Sequence, residues 1–131
     1  MSLVLGVDFD NTQTVVETAL FEKYTKCREF LNWFTSTYGG QMGRVAIVYL
    51  GSESRVYPHI DRGEYYVGRD RFHMVLNGYY DFTVDKETQR FGAGELWYFN
   101  NQRTHHVVNA TPIIRVCLIF DVKGSSFNDV D

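Results

Sequence analysis

His59-Ile60-Asp61 sets an imidazole and a carboxylate two residues apart. In an extended strand such residues face the same way, so both groups can aim at one point. His105, on a later β-type segment, supplies a second imidazole. Two histidines and one carboxylate on one face of an ion form the ligand set of non-haem iron(II) oxygenases, because the other coordination positions stay open for reactants. Arg115 follows within the apolar company of Ile113, Ile114, Val116, Cys117 and Leu118. A guanidinium buried there needs an anionic partner, and its fork can hold a carboxylate through two parallel bonds. Arg71 and His73, in Arg71-Phe72-His73, share a strand face and add donors for an anion, with Phe72 turned into packing. An oxo acid, chelating the metal at one end and pairing with Arg115 at the other, meets both demands.

These residues carry a family resemblance. The segment 58–122, about half of the chain, resembles the aspartyl/asparaginyl β-hydroxylases, a family of iron(II)/2-oxoglutarate oxygenases. The matching pieces are His59-x-Asp61, Arg71-Phe72-His73-Met74-Val75-Leu76, Gly94-Glu95-Leu96-Trp97-Tyr98-Phe99-Asn100-Asn101, His105-x-Val107, and Arg115 with the apolar run to Asp121-Val122. The resemblance implies a mainly β chain folded as a double-stranded β-helix, that is, a cupin-like jelly roll. It implies iron(II) held by His59 and His105, with 2-oxoglutarate as co-substrate and O2 as oxidant. It assigns the far carboxylate of 2-oxoglutarate to Arg115 and further co-substrate contacts to Arg71 and His73. Some members keep a carboxylate two residues after the first histidine and others do without it; Asp61 is counted here as a ligand. The family hydroxylates Asp or Asn side chains of proteins, free proline and lipid acyl chains, so the resemblance implies the chemistry more closely than the substrate. The expected substrate is an amino acid, peptide or protein side chain. Two other readings use the same residues. One is a cupin with different metal chemistry, since 94–109 roughly follows the second cupin motif of glycine, then histidine, then asparagine four residues later. The other is a non-catalytic jelly-roll binding domain.

The elements that must position these groups are partly legible. Thr14-Val15-Val16-Glu17 has the form of a capping box, and Leu20, Tyr24, Cys27, Leu31, Phe34 and Tyr38 follow at helical spacing. One amphipathic helix is therefore expected over about 15–38, ended by Gly39-Gly40. From Gly43 the pattern becomes that of strands, with segments at 44–50, 71–76, 79–84, 95–99, 105–109 and 113–122. Asn77-Gly78 reads as a hairpin turn and Asp85-Lys86-Glu87 as a polar turn. Seven or eight short strands behind one packed N-terminal helix suggest a sandwich or barrel, which the resemblance makes a jelly roll over about 43–122. The domain would span 1–124, with a flexible tail at 125–131.

Bulk properties narrow the classes. The chain of 131 residues suits one domain, and its 44% hydrophobic and 16% aromatic content supports a packed β-rich core. A net charge of -3 without a basic cluster gives no support for nucleic-acid binding. No apolar run reaches the roughly 20 residues of a membrane span, and the start of the chain lacks a signal-peptide pattern. Cys27 and Cys117 have no C-x-x-C neighbour and read as two buried thiols, which fits a reducing cytoplasm. The partner is then a small molecule or a peptide; oligomeric state leaves no mark in the sequence. Asp8-x-Asp10 imitates a phosphatase strand end, but no alternating βα series follows, so a turn is the better reading.

Overall fold

The structure is a computed structural model that describes residues 2–6, 15–17 and 24–127. Helix α1, Thr25–Tyr38, is the only α-helix among them. The strands are β1 (Ser2–Gly6), β2 (Val15–Glu17), β3 (Gln41–Leu50), β4 (Ser54–His59), β5 (Arg69–Asn77), β6 (Tyr79–Val84), β7 (Glu87–Gly92), β8 (Leu96–Phe99), β9 (His105–Asn109) and β10 (Arg115–Lys123). A 3-10 turn at Glu64–Tyr66 interrupts the link from β4 to β5. The strands form two antiparallel sheets, ordered β2-β1-β3-β10-β5-β8 and β4-β9-β6-β7. From β3 to β10 the chain passes from one sheet to the other at every connection except β6 to β7, which is the double-stranded β-helix that the resemblance implies.

Alternation along β5 and β10 divides the residues between two cores. Phe72, Leu118, Phe120 and Val122 turn outward and pack with Val45 and Ile47 under Leu31 and Phe34 of α1. Val75 turns inward and meets Tyr80, Phe82, Phe91, Phe99 and Val107 between the sheets. Phe34 is the hub of the outer core, with ring centroids 4.8 Å from Phe72, 5.2 Å from Phe120 and 4.9 Å from Tyr38. Phe34→Ala is expected to cost about 3–5 kcal/mol, because neighbouring rings cannot collapse into the space left. Urea unfolding followed by circular dichroism would show a lower midpoint with an unchanged slope.

Four sequence expectations change. Val15–Glu17 is a strand paired with β1, not the first turn of a helix. Two β-branched valines suit that pairing, and α1 starts later, after Tyr24, with no side-chain cap. Asn77-Gly78 is not a hairpin, because β5 and β6 lie in different sheets. It is the point where the chain crosses between them: Gly78 has φ 78°, and a Cβ there would lie 2.8 Å from the Ile114 carbonyl oxygen. The true hairpin joins β6 to β7 through Asp85 and Lys86. β7 itself was not expected, since Glu87-Thr88-Gln89-Arg90 is exposed and lacks an alternating apolar face. The start of the tail is pinned rather than frayed: Ser126 donates to the Tyr38 carbonyl, and Phe127 packs 5.0 Å from the Tyr38 ring and 5.1 Å from that of Phe72. Asp8, Asp10, Thr14 and Leu20 lie outside the described residues. Both cysteines are free, and burial pushes the Cys117 thiol up to about 11. No helix among the described residues is long and apolar enough to cross a membrane.

Candidate metal centre

β4 is an edge strand, where Pro58 can sit without a ladder N–H. It pairs with β9 so that Val56 faces Val107 and His59 faces His105. Three residues of β4 thus span the interval that two residues of β9 cover. The register shift between Val56 and His59 is a β-bulge, and it sets His59 rather than Pro58 opposite His105. The two rings lie 4.3 Å apart. Each ring is held from behind in the same way. His59 Nδ1 bonds the Tyr57 carbonyl and His105 Nδ1 bonds the Arg103 carbonyl, both at 2.8 Å. A carbonyl can only accept, so Nδ1 carries the proton on both rings. Nε2 is then the lone-pair nitrogen, which is how proteins orient metal-binding histidines.

Asp61 arrives by another route than the strand alternation expected. β4 ends at His59, and Asp61 sits in the following loop. Its N–H donates to the Asn101 carbonyl at 3.1 Å, while Gln102 Nε2 donates to the Asp61 carbonyl at 3.1 Å. The loop before β9 therefore positions the carboxylate, which approaches His59 Nε2 at 3.5 Å and His105 Nε2 at 3.8 Å. One ligand atom from each of His59, Asp61 and His105 lies within 4.8 Å of the others. Asp61 is 8% exposed and His105 4% exposed, whereas the His59 side chain is 43% exposed, so the cluster opens to solvent on the His59 side. Burial lowers the pKa of His105 below its ordinary value and favours the neutral, ligating imidazole.

The anion-holding residues divide. Arg115 is buried at 2% exposure, on the inward face of β10. It makes no ion pair among the described residues, and its Nε has no hydrogen-bond partner. Its guanidinium lies 4.7 Å from the ring centroid of Tyr80. His73 shares this interior: its Nδ1 is 2.8 Å from the Tyr80 hydroxyl, and that hydroxyl is 3.6 Å from Cys117 Sγ. Burial first, then the charges of Arg115 and Arg71, hold the His73 pKa well below its ordinary value, so its imidazole is neutral. Arg71 is held by two protein carboxylates. Its Nε and Nη2 donate to the two oxygens of Asp121 at 2.7 and 3.0 Å, and Nη1 donates to Asp61 Oδ2 at 3.2 Å. Its fork is engaged by the protein carboxylates Asp121 and Asp61. Sequence reasoning passed over Tyr80, and it took Asp121 only as the end of an apolar run. The signal for Asp121 was an acidic residue placed two to six positions beyond Arg115, Cys117 and Ile119 on the same inward face.

Next to the centre, a cleft of about 500 Å³ opens between the outer strands β7 and β8. Phe82 and Phe99 line it and also face the His105 ring, at 5.9 and 5.1 Å. Phe91, stacked on Trp97 at 4.3 Å, forms its aromatic wall, and Glu87 and Gln89 supply polar groups.

The architecture and site define a cupin-type double-stranded β-helix with a His–Asp–His cluster able to hold a metal ion. Solved structures agree on the fold. A cupin from Bacteroides fragilis is similar at TM-score 0.54 and 18% identity, covering 69% of this chain and 73% of that one. A predicted oxalate decarboxylase from Thermotoga maritima is similar at TM-score 0.52 and 16% identity, covering 73% of each. A conserved protein of unknown function from Streptococcus pyogenes is similar at TM-score 0.51 and 19% identity; the match covers 61% of this chain and 63% of that one. No curated relative matches the chain in sequence. The profile of the aspartyl/asparaginyl β-hydroxylase family matches residues 11–124, and the chain belongs to that family.

Proposed function

We propose that this chain is an iron(II)- and 2-oxoglutarate-dependent hydroxylase acting on an amino acid, peptide or protein side chain. The observation that carries the reading is Arg115: a buried cation with an unpartnered Nε, facing the interior beside His73 and Tyr80. A charge so placed is costly unless an anion joins it. A dicarboxylate supplies that anion. The donor set fits the metal as well, since two imidazoles whose Nε2 atoms face the Asp61 carboxylate suit iron(II) and leave positions for other ligands. Bound iron with 2-oxoglutarate and O2 would supply the oxidising power to convert a C–H bond into C–OH.

The remaining tasks belong to the chain itself. His59, Asp61 and His105 hold the ion, and the Tyr57 and Arg103 carbonyls fix the two rings. Arg115 anchors the far carboxylate of the co-substrate, and His73 and Tyr80 provide polar contacts beside it. Phe82 and Phe99 exclude water from the inner side of His105. The cleft they border has room for a side chain or a free amino acid.

Purified protein loaded with iron(II) and ascorbate is expected to release CO2 from 2-oxoglutarate slowly, even without a substrate. N-oxalylglycine, a non-reactive analogue, should bind and suppress that release. Protein that binds iron but shows no affinity for either compound would sink the reading and leave a cupin with different metal chemistry.

A further inference from the structure

Asp61 has two claimants. The metal needs its carboxylate, and Arg71 Nη1 already donates to Oδ2 at 3.2 Å. An arginine beside a carboxylate ordinarily forms the bidentate pair, which is the stronger geometry. Here that geometry is reserved for Asp121, through the Nε and Nη2 bonds at 2.7 and 3.0 Å. Asp121 is in turn fixed by the Tyr65 hydroxyl, which donates to its Oδ2 at 2.7 Å. The same hydroxyl accepts the Arg44 backbone N–H at 2.6 Å. Gly43 gives this arrangement its space: a Cβ there would fall 2.6 Å from the Tyr65 hydroxyl and 3.3 Å from Asp121 Cβ. Tyr65 and Asp121 are both buried, so neither has water as an alternative partner.

We propose that Asp121, held by Tyr65, is a positioning residue that keeps the Arg71 fork off Asp61 and so leaves the Asp61 carboxylate available as the third metal ligand. One cation stands between two carboxylates, and the better-fixed one takes the fork. Without the negative charge of Asp121, Arg71 would turn its bidentate face to Asp61 and compete with the metal for it. Arg71 is still needed, because a single N–H bond to Asp61 orients the carboxylate and offsets the cost of burying it. The proposal rests on the reading of His59, Asp61 and His105 as a metal centre, and it does not depend on 2-oxoglutarate.

The test is a cobalt(II) titration of the full chain without co-substrate, read by visible absorption and by calorimetry. Asp121→Asn is expected to weaken cobalt binding about tenfold, the low end for residues that support ligands, and to alter the cobalt absorption bands. In an Asp61→Ala background, the same Asp121→Asn change should shift affinity less than about twofold, because the ligand it protects is gone. An unchanged affinity in Asp121→Asn overturns the proposal, and so does a tenfold loss that persists in the Asp61→Ala background. Should Asp121→Asn fail to fold, Tyr65→Phe carries the same comparison with a smaller loss expected, about threefold, by loosening rather than discharging Asp121. A wild-type chain that takes up no cobalt overturns the metal centre itself, a different result from an insensitive Asp121→Asn.

Discussion

Arg115→Met is expected to weaken 2-oxoglutarate binding by at least about 30-fold while leaving iron(II) uptake unchanged. The figure follows from the roughly 2 kcal/mol or more lost when one partner of a buried, hydrogen-bonded charge pair is removed. Methionine preserves length and apolar bulk, so the variant separates charge from packing. That control matters because Arg115 is among the largest fully buried side chains of the described residues. Its Nε has no internal partner, so what the substitution removes inside the protein is the guanidinium's contact with Tyr80. A parallel urea unfolding curve checks that the variant remains folded. The measurement is anaerobic calorimetry of 2-oxoglutarate against the iron-loaded protein, with a separate metal titration. Loss of metal and co-substrate binding together would make Arg115 a structural residue.

His105→Ala should abolish iron binding within the titratable range, a loss of more than about 100-fold, exceeding what the removal of a supporting residue produces. His105 is the inner corner of the centre: it is buried, its ring faces Phe82 and Phe99, and its Nδ1 is fixed by the Arg103 carbonyl. Nothing on that side can replace it. Asp61→Ala is expected to be milder, because the two imidazoles that remain are each oriented by a carbonyl and do not rely on Asp61 for their direction. The ranking, His105 before Asp61, is the informative outcome. If the two variants lose iron equally, Asp61 is as necessary as the histidines.

The centre was more legible in the sequence than the elements that carry it. His105 to Asn109 and the strand holding Arg115 announce themselves through β-branched runs, and the paired histidines follow from residue type. Asp61 was placed correctly in the cluster for a reason that does not hold. The strand stops at His59, and contacts with Asn101 and Gln102, forty residues away in sequence, bring the carboxylate in. No local periodicity encodes such a contact. Thr14 to Glu17 shows the converse failure, since a local helix signal lost to pairing of Val15–Glu17 with β1. Asn77-Gly78 truly marks a turn, but whether a turn folds a strand back or passes it to the facing sheet depends on where β10 already lies. The Arg71–Asp121 pair was not legible, because Asp121 lies fifty residues on and adjoins Arg71 only through the pairing of β5 with β10.

The two ends of the proposed co-substrate site hang on different sheets. His59 and His105 belong to the four-stranded sheet, while Arg115 and His73 belong to the six-stranded one that α1 braces. A molecule gripped at both ends is therefore a tie across the sandwich, and its arrival should quiet the breathing of one sheet against the other. Amide hydrogen exchange would register this as slower opening along β9 and β10 together, far beyond the few residues touched. The four-stranded layer, on which α1 does not pack, would gain most, so occupancy is readable from the mechanics of the fold before any product is formed.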